Sequence, residues 1–208
     1  MKPFTSVSGA AVPLMMANID TDVIIRVERL TERSAEGLRK HAFAALRYQS
    51  DGVEKPDCPL NQPQFRGAPI LLAGANFGCG SSREPAVWAL MALGIRCVIA
   101  ESFGDIFFSN CFQNGVLPIV LSTTTVEVLA AEAEAGDTGF SVDLAEQVIA
   151  TPSGKTFAFQ VDPQRRESLL GGLDDIGQTL KLSAAIDAWQ AQDQQVRPWV
   201  WLPGSVQL

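Results

Sequence analysis

The sequence predicts an α/β fold, and three observations carry that prediction. Across residues 69–121, apolar runs of strand length alternate with stretches of helical spacing. Glycines at 74, 78, 80 and 94 fall between them, where the chain must turn. The composition is that of a globular protein, 47% hydrophobic and 19% charged over 208 residues, which supplies material for a large core. The length is read as one domain over 1–208, with a long loop at about 48–66 and a helical, aromatic C-terminal tail.

Val7 to Pro13 reads as an opening strand. Asn18-Ile19-Asp20-Thr21-Asp22 is a polar loop of turn-forming residues, followed by the short β-branched run Val23-Ile24-Ile25. Residues 31–47 have helical spacing, with Leu38, Ala42, Ala45 and Leu46 on the apolar positions. Residues 48–66 contain Asp51-Gly52 and three prolines with little periodicity, the pattern of a surface loop. The strongest pattern comes next. Residues 69–73 form a buried strand, and Gly74 to Gly80 form a glycine-rich turn. A helix then starts at Ser81/Ser82, with Glu84 and Pro85 in its first turn and Gly94 at its end. Residues 97–100 and 117–121 are strands flanking a short helix over 105–111. Residues 123–134 form an alanine-rich helix. The chain then becomes richer in strands, at 140–144, 146–150 and 157–159, with a hairpin turn at 151–154. Helices are expected at 163–170 and 183–190. The tail Arg197-Pro198-Trp199-Val200-Trp201 either docks on a partner or packs back on its own chain.

Several classes of function are disfavoured. A net charge of −7 with no basic cluster argues against nucleic acid. No apolar run approaches the ~18 residues a membrane helix needs, and the first residues lack the apolar region of a signal peptide, so a cytoplasmic protein is expected. Cys58, Cys79, Cys97 and Cys111 have no C-x-x-C spacing, and His41 is the single histidine, so no metal site is expected in this chain. Cys58, Cys97 and Cys111 read as buried thiols, and His41 as structural.

The segment Gly78-Cys79-Gly80-Ser81-Ser82-Arg83 concentrates the chemistry. Glycines let backbone approach a ligand. Hydroxyls at a helix N-terminus lie where free N–H groups and the dipole favour an anion. Arg83 offers a planar, two-pronged donor for carboxylate or phosphate. Two readings stay open on these residues alone: a capped helix after a strand, or a site for a small anion with serine as nucleophile or base. The turn is neither a P-loop nor a dinucleotide fingerprint.

Taken in order along the chain, the motifs resemble the small subunits of 3-isopropylmalate dehydratase, relatives of the aconitase swivelling domain. The resemblance is carried by Asn18 to Ile25, by Asn76 to Glu84, by Phe103-Gly104-Asp105-Ile106-Phe107 with Asn110 and Asn114-Gly115, and by Gly172 to Gly177. It implies an aconitase-type swivelling β/β/α domain. It implies a large catalytic subunit as partner, which carries a [4Fe–4S] cluster that this chain does not bind. The implied substrate is a small hydroxy acid, 2-isopropylmalate, isomerised by dehydration and rehydration in leucine biosynthesis. By the same resemblance Ser81 is the catalytic base, and Ser82 and Arg83 hold substrate carboxylate. Asp22 matches an acidic residue near the active site. Two departures stand out. Pro85 replaces a usual histidine after Ser-Arg-Glu, and Arg26-Val27 replace Pro and often Lys, with Arg29 further on as a candidate carboxylate contact. The changed loop leaves open a related hydratase acting on another small di- or tricarboxylic acid. The changed turn leaves open an anion-binding subunit without catalysis.

Overall fold

A computed structural model describes residues 1–29, 31–32, 34–80, 83–136 and 138–201. The chain divides into two compact units, Met1–Gly172 and Leu173–Leu208. The first unit is built on two four-stranded sheets. One is parallel, with strands β2 (Ala11–Leu14), β3 (Ile70–Ala73), β4 (Cys97–Ala100) and β5 (Leu117–Val120) in that order. The other is antiparallel, with β1 (Ser6–Gly9), β6 (Phe140–Asp143), β7 (Val148–Ala150) and β8 (Thr156–Ala158) side by side.

The parallel strands are continuous apolar runs because both of their faces are covered. Val12, Leu14, Leu71, Ala73, Val98 and Ala100 pack into one core with Leu90, Phe77 and Phe107. Ile70, Leu72, Cys97, Ile99, Leu117 and Ile119 pack into a second core with Val126, Leu129, Phe140, Val142 and Ile149. The layers are therefore helices, parallel sheet, then antiparallel sheet beside helix α6 (Thr123–Glu134). That is the β/β/α layering expected from the resemblance. Both edges of the parallel sheet carry a proline, Pro13 on β2 and Pro118 on β5. Proline has no N–H to offer a further strand, so it suits an edge.

The single opening strand expected over 7–13 is two strands, one in each sheet. The break falls at Ala10, just after Gly9, where a Cβ would lie 2.8 Å from Pro69 Cδ. The helix expected over 31–47 is also two, α2 (Ala35–His41) and α3 (Ala44–Arg47). Between them Phe43 takes φ +50° and donates its N–H to the Ile24 carbonyl at 2.8 Å. Its fully buried ring is worth more to the core than one uninterrupted helix. The β-branched run at 23–25 lies not in a strand but at helix α1 (Thr21–Ile24), nucleated by Asp20, whose Oδ1 accepts from Val23 N at 2.7 Å.

Residues 48–66 are a tethered segment rather than a bare surface loop. They contain 3-10 turns at Pro59–Asn61 and Pro63–Phe65, and Cys58, Asn61 and Phe65 are buried. Helix α4 (Glu84–Leu93) has Arg83 as its N-cap rather than the serine expected there, so it starts later than Ser81/Ser82. Helices α5 (Asp105–Asn114), α6 and α7 (Pro163–Gly171) follow the expected positions, α5 being one turn longer. Cys58, Cys97 and Cys111 are buried free thiols, as expected, and Cys79 is half-buried.

The second unit contains α8 (Asp175–Leu180), α9 (Ser183–Val196) and a 3-10 turn at Pro198–Trp201. Its two described tail tryptophans divide the two readings of the tail. Trp201 packs back, with Nε1 donating to Asp193 Oδ2 at 2.9 Å, while Trp199 is 66% exposed. Among the described residues, no helix is long and apolar enough to cross a membrane.

Candidate active site

The residues that follow β3 form a ribbon at the carboxyl end of the parallel sheet. On one side the ribbon meets the chain leaving β2: Asn18 N donates to Ala75 O at 2.9 Å, Gly78 N to Ile19 O at 2.7 Å and Thr21 N to Cys79 O at 3.0 Å. On the other side it meets the chain leaving β4, where Phe77 N donates to Ser102 O at 3.0 Å and Gly104 N to Phe77 O at 2.9 Å. The strand order is thus extended one layer beyond the sheet, at the edge where open α/β sheets hold ligands.

Glycine is required at two points of this ribbon. Gly78 has φ +73°, and a Cβ there would lie 2.2 Å from the Phe107 ring. A Cβ at Gly104 would lie 2.7 Å from the Gly78 carbonyl. The backbone therefore sits directly on the aromatic group of Phe77, Phe103 and Phe107, whose ring centroids are 5.4–6.4 Å apart.

Two of the expected site residues come together here. Asp22 lies in the first turn of α1, and Arg83 is the N-cap of α4. The Arg83 Nη1 donates to Asp22 Oδ1 in an ion pair that joins residues 61 apart in sequence. Arg83 is mostly enclosed, its side chain 19% exposed, whereas Asp22 is 51% exposed. Among the described residues one prong of the guanidinium is engaged, by Asp22, and a guanidinium carries further N–H donors that suit a second anion. Ser81 and Ser82, between the ribbon and Arg83, lie outside the described residues.

Arg29 lies exposed on the 3-10 turn Val27–Arg29 and, among the described residues, forms no ion pair with Asp22. Arg26 is 3.8 Å from Glu28 on the same turn. The Arg29 charge is felt instead by His41. Partial burial, then Arg29 and Lys40, hold the His41 imidazole below its ordinary range, which favours the neutral form at pH 7.

Sequence reasoning gave Asn18 and Asn76 no role. Their side chains pair, Asn76 Nδ2 donating to Asn18 Oδ1 at 2.8 Å, and lock the two polar loops together. Both have positive φ, +56° and +58°. Asparagine at a turn tolerates that conformation, which was the available signal.

Among the described residues, no group of three or more His, Cys, Asp or Glu could hold a metal ion. Burial raises the Cys97 thiol far above its ordinary range, and burial followed by Cys97 raises that of Cys111, so neither favours the thiolate that ligates a metal.

The Aconitase C-terminal domain family matches residues 1–124, LeuD_N matches 127–163, and the C-terminal domain of the 3-isopropylmalate dehydratase small subunit matches 175–200. The 3-isopropylmalate dehydratase small subunit of Paracoccus denitrificans is 50% identical over 201 residues, covering 96% of this chain and 100% of the relative. This chain belongs to the 3-isopropylmalate dehydratase small-subunit family. The small subunit from Rhodospirillum centenum is 52% identical over 96% of this chain and 98% of its own length. In three dimensions the family likeness extends to the crystal structure of 3-isopropylmalate dehydratase (leuD) from Methanocaldococcus jannaschii. That structure has a TM-score of 0.62 and 26% identity, with 89% of this chain and 99% of the other covered. Membership of a small-subunit family entails a large-subunit partner.

Proposed function

We propose that this chain is the small subunit of a cytoplasmic hydro-lyase that converts 2-isopropylmalate to 3-isopropylmalate in leucine biosynthesis, acting as one swivelling domain over its whole length. The observation that carries the reading is the Arg83–Asp22 pair on a glycine-built ribbon at the carboxyl end of a parallel sheet. It occurs in a chain half identical to named small subunits over nearly its full length.

The reaction removes a hydroxyl from one carbon and a proton from its neighbour, then returns each to the other's place. Ser81 Oγ takes the carbon-bound proton and later gives it back. An alkoxide needs a positive field, and Arg83 together with the free N–H groups at the start of α4 provides one. Arg83 and Ser82 grip a substrate carboxylate, with Asp22 holding the guanidinium in the plane that receives it. Arg29, exposed on its turn, makes a second carboxylate contact when the substrate closes the site. A [4Fe–4S] cluster on the large subunit supplies the Lewis acid for the departing hydroxyl.

The test is turnover of 2-isopropylmalate by the purified two-subunit enzyme. Replacing the proposed base, Ser81→Ala, is expected to lower kcat by roughly 10²–10⁴-fold while the complex still assembles. Unchanged turnover would remove Ser81 from the chemistry, and turnover of only a different hydroxy acid would overturn the substrate.

A further inference from the structure

We propose that Asn114 is a positioning residue for this reaction, acting through Glu84 to set the direction in which Arg83 leaves helix α4. The inference rests on the reading of Arg83 as the substrate grip.

Arg83 and Glu84 are neighbours at the helix start: Arg83 is the N-cap and Glu84 the first helical residue. The rest of α4 is fixed by its apolar face, with Ala86, Val87, Ala89 and Leu90 fully buried. Glu84, the first helical residue, lies off that face: it is exposed, and the N-cap side chain before it makes no capping bond. Glu84 is held instead from α5. Asn114, the last residue of α5, donates from Nδ2 to Glu84 Oε1 at 3.0 Å and accepts at Oδ1 from Trp88 Nε1 at 2.8 Å. Glu84 and Trp88 are four residues apart and so share one face of the helix. Asn114 bridges them and holds Glu84, the residue next to the N-cap, in place at the helix start.

The amide is suited to the place. Trp88 Nε1 can only donate, so it must face the amide oxygen. The amide nitrogen then faces Glu84 Oε1 and the Asn110 carbonyl, at 3.0 and 2.9 Å, both of which can only accept. The same helix also supports the ribbon that leads to α4, because its Phe107 ring lies against Gly78. Helix α5 thus braces the active-site segment at two points, through Phe107 on the ribbon and Asn114 on the start of α4.

An aspartate at 114 would keep the bond from Trp88 but set one carboxylate against another. The experiment is steady-state kinetics of the assembled two-subunit enzyme on 2-isopropylmalate, with thermal midpoints measured alongside. Asn114→Asp is expected to raise KM by about tenfold, as for a displaced positioning group, with a smaller change in kcat. Glu84→Gln should remain within about twofold of wild type, because a glutamine carbonyl still accepts from Asn114. Combining Glu84→Gln with Asn114→Asp reverses the polarity of that bond, while the Asn110 carbonyl still faces an oxygen, and should recover part of the loss, bringing KM about threefold back toward wild type. A merely structural role would move the thermal midpoint and leave KM of the assembled enzyme alone. If Asn114→Asp does not assemble, Glu84→Ala opens the same bridge from the exposed side, and the same rise in KM is expected. Wild-type KM in assembled Asn114→Asp or Glu84→Ala, or a double variant no better than Asn114→Asp, would overturn the proposal. A wild-type enzyme inactive on 2-isopropylmalate would overturn the substrate reading and with it this inference, an outcome visible before any variant is compared.

Discussion

At position 78 a side chain is excluded by two separate constraints. The backbone has φ +73°, which an L-residue adopts at a cost of roughly 1 kcal/mol. The space is also taken, since an added Cβ would meet the Phe107 ring at 2.2 and 2.5 Å and the Phe107 Cβ at 2.7 Å. Gly78→Ala is therefore expected to destabilise the chain by about 2–4 kcal/mol, the sum of backbone strain and overpacking. Urea midpoints measure it, and a cycle with Phe107→Ala separates the parts. With the ring removed, the contacts at 2.2 and 2.5 Å go while the one with the residue 107 Cβ at 2.7 Å stays, so the methyl group should cost clearly less than in wild type but more than the backbone share of about 1 kcal/mol. Equal costs in both backgrounds would show that the ring is not what excludes the side chain. The glycines were legible in the sequence as a close-approach turn. Their neighbour was not, because Phe107 lies 29 residues further along (107 − 78) and only the fold brings it back.

Among the elements, the 48–66 segment departs most from what its sequence suggests. Its order depends on one polar pair. Asn61 accepts from Arg47 Nε at 3.2 Å and donates to Arg47 O at 2.6 Å and Lys55 O at 2.9 Å. The same guanidinium donates through Nη1 to the Arg39 and Ala42 carbonyls at 2.8 and 3.1 Å, closing the end of α2. Both residues are buried, Arg47 at 8% and Asn61 at 5% exposure. Asn61→Leu leaves a buried donor and two carbonyls without this partner, an expected loss of about 2–4 kcal/mol. Limited proteolysis should then cut within 48–66 well before the chain unfolds globally, while wild type resists. Cleavage at wild-type rates would mean that the segment is held by something other than this pair. The sequence could not show this, because propensity records three prolines and no period, whereas the ordering comes from one long-range side chain. Strands β3, β4 and β5 and helix α6 were legible for the opposite reason: apolar run length and flanking turn residues determine them locally. The Gly78–Arg83 turn was legible as a candidate site. Its Asp22–Arg83 pairing was not, because the two residues stand on helices brought together only when β2 and β3 pair.

For the whole of the first unit, stability to acid depends on how helix α6 is tied to the β7–β8 hairpin. Glu132, near the end of α6, accepts from Ser153 Oγ at 2.8 Å and from Lys155 Nζ at 2.9 Å, and Thr151 Oγ1 lies 3.0 Å from Ser153 Oγ. The hydrogen bond from Thr151, then those from Lys155 and Ser153, hold the Glu132 carboxyl well below its ordinary range, at about 2. A carboxyl with a depressed pKa in the folded chain stabilises that chain in its ionised form. The contribution is complete above the unfolded value of about 4.5 and is lost as pH falls from there through about 2. Glu132→Gln removes the ionisation and leaves a neutral acceptor. Urea midpoints measured from pH 7 to pH 2 should show the variant weaker than wild type at neutral pH. The two curves should then converge across the window between about 4.5 and 2 as wild type alone takes up the proton. Parallel curves would mean that Glu132 titrates alike in both states and that the tie contributes nothing through its charge. Convergence would place an acid-sensitive tie of the unit where α6 meets the antiparallel sheet, away from the carboxyl edge of the parallel sheet. Kinetic pH profiles below neutrality could then be read as properties of the active site until the folded fraction itself begins to fall.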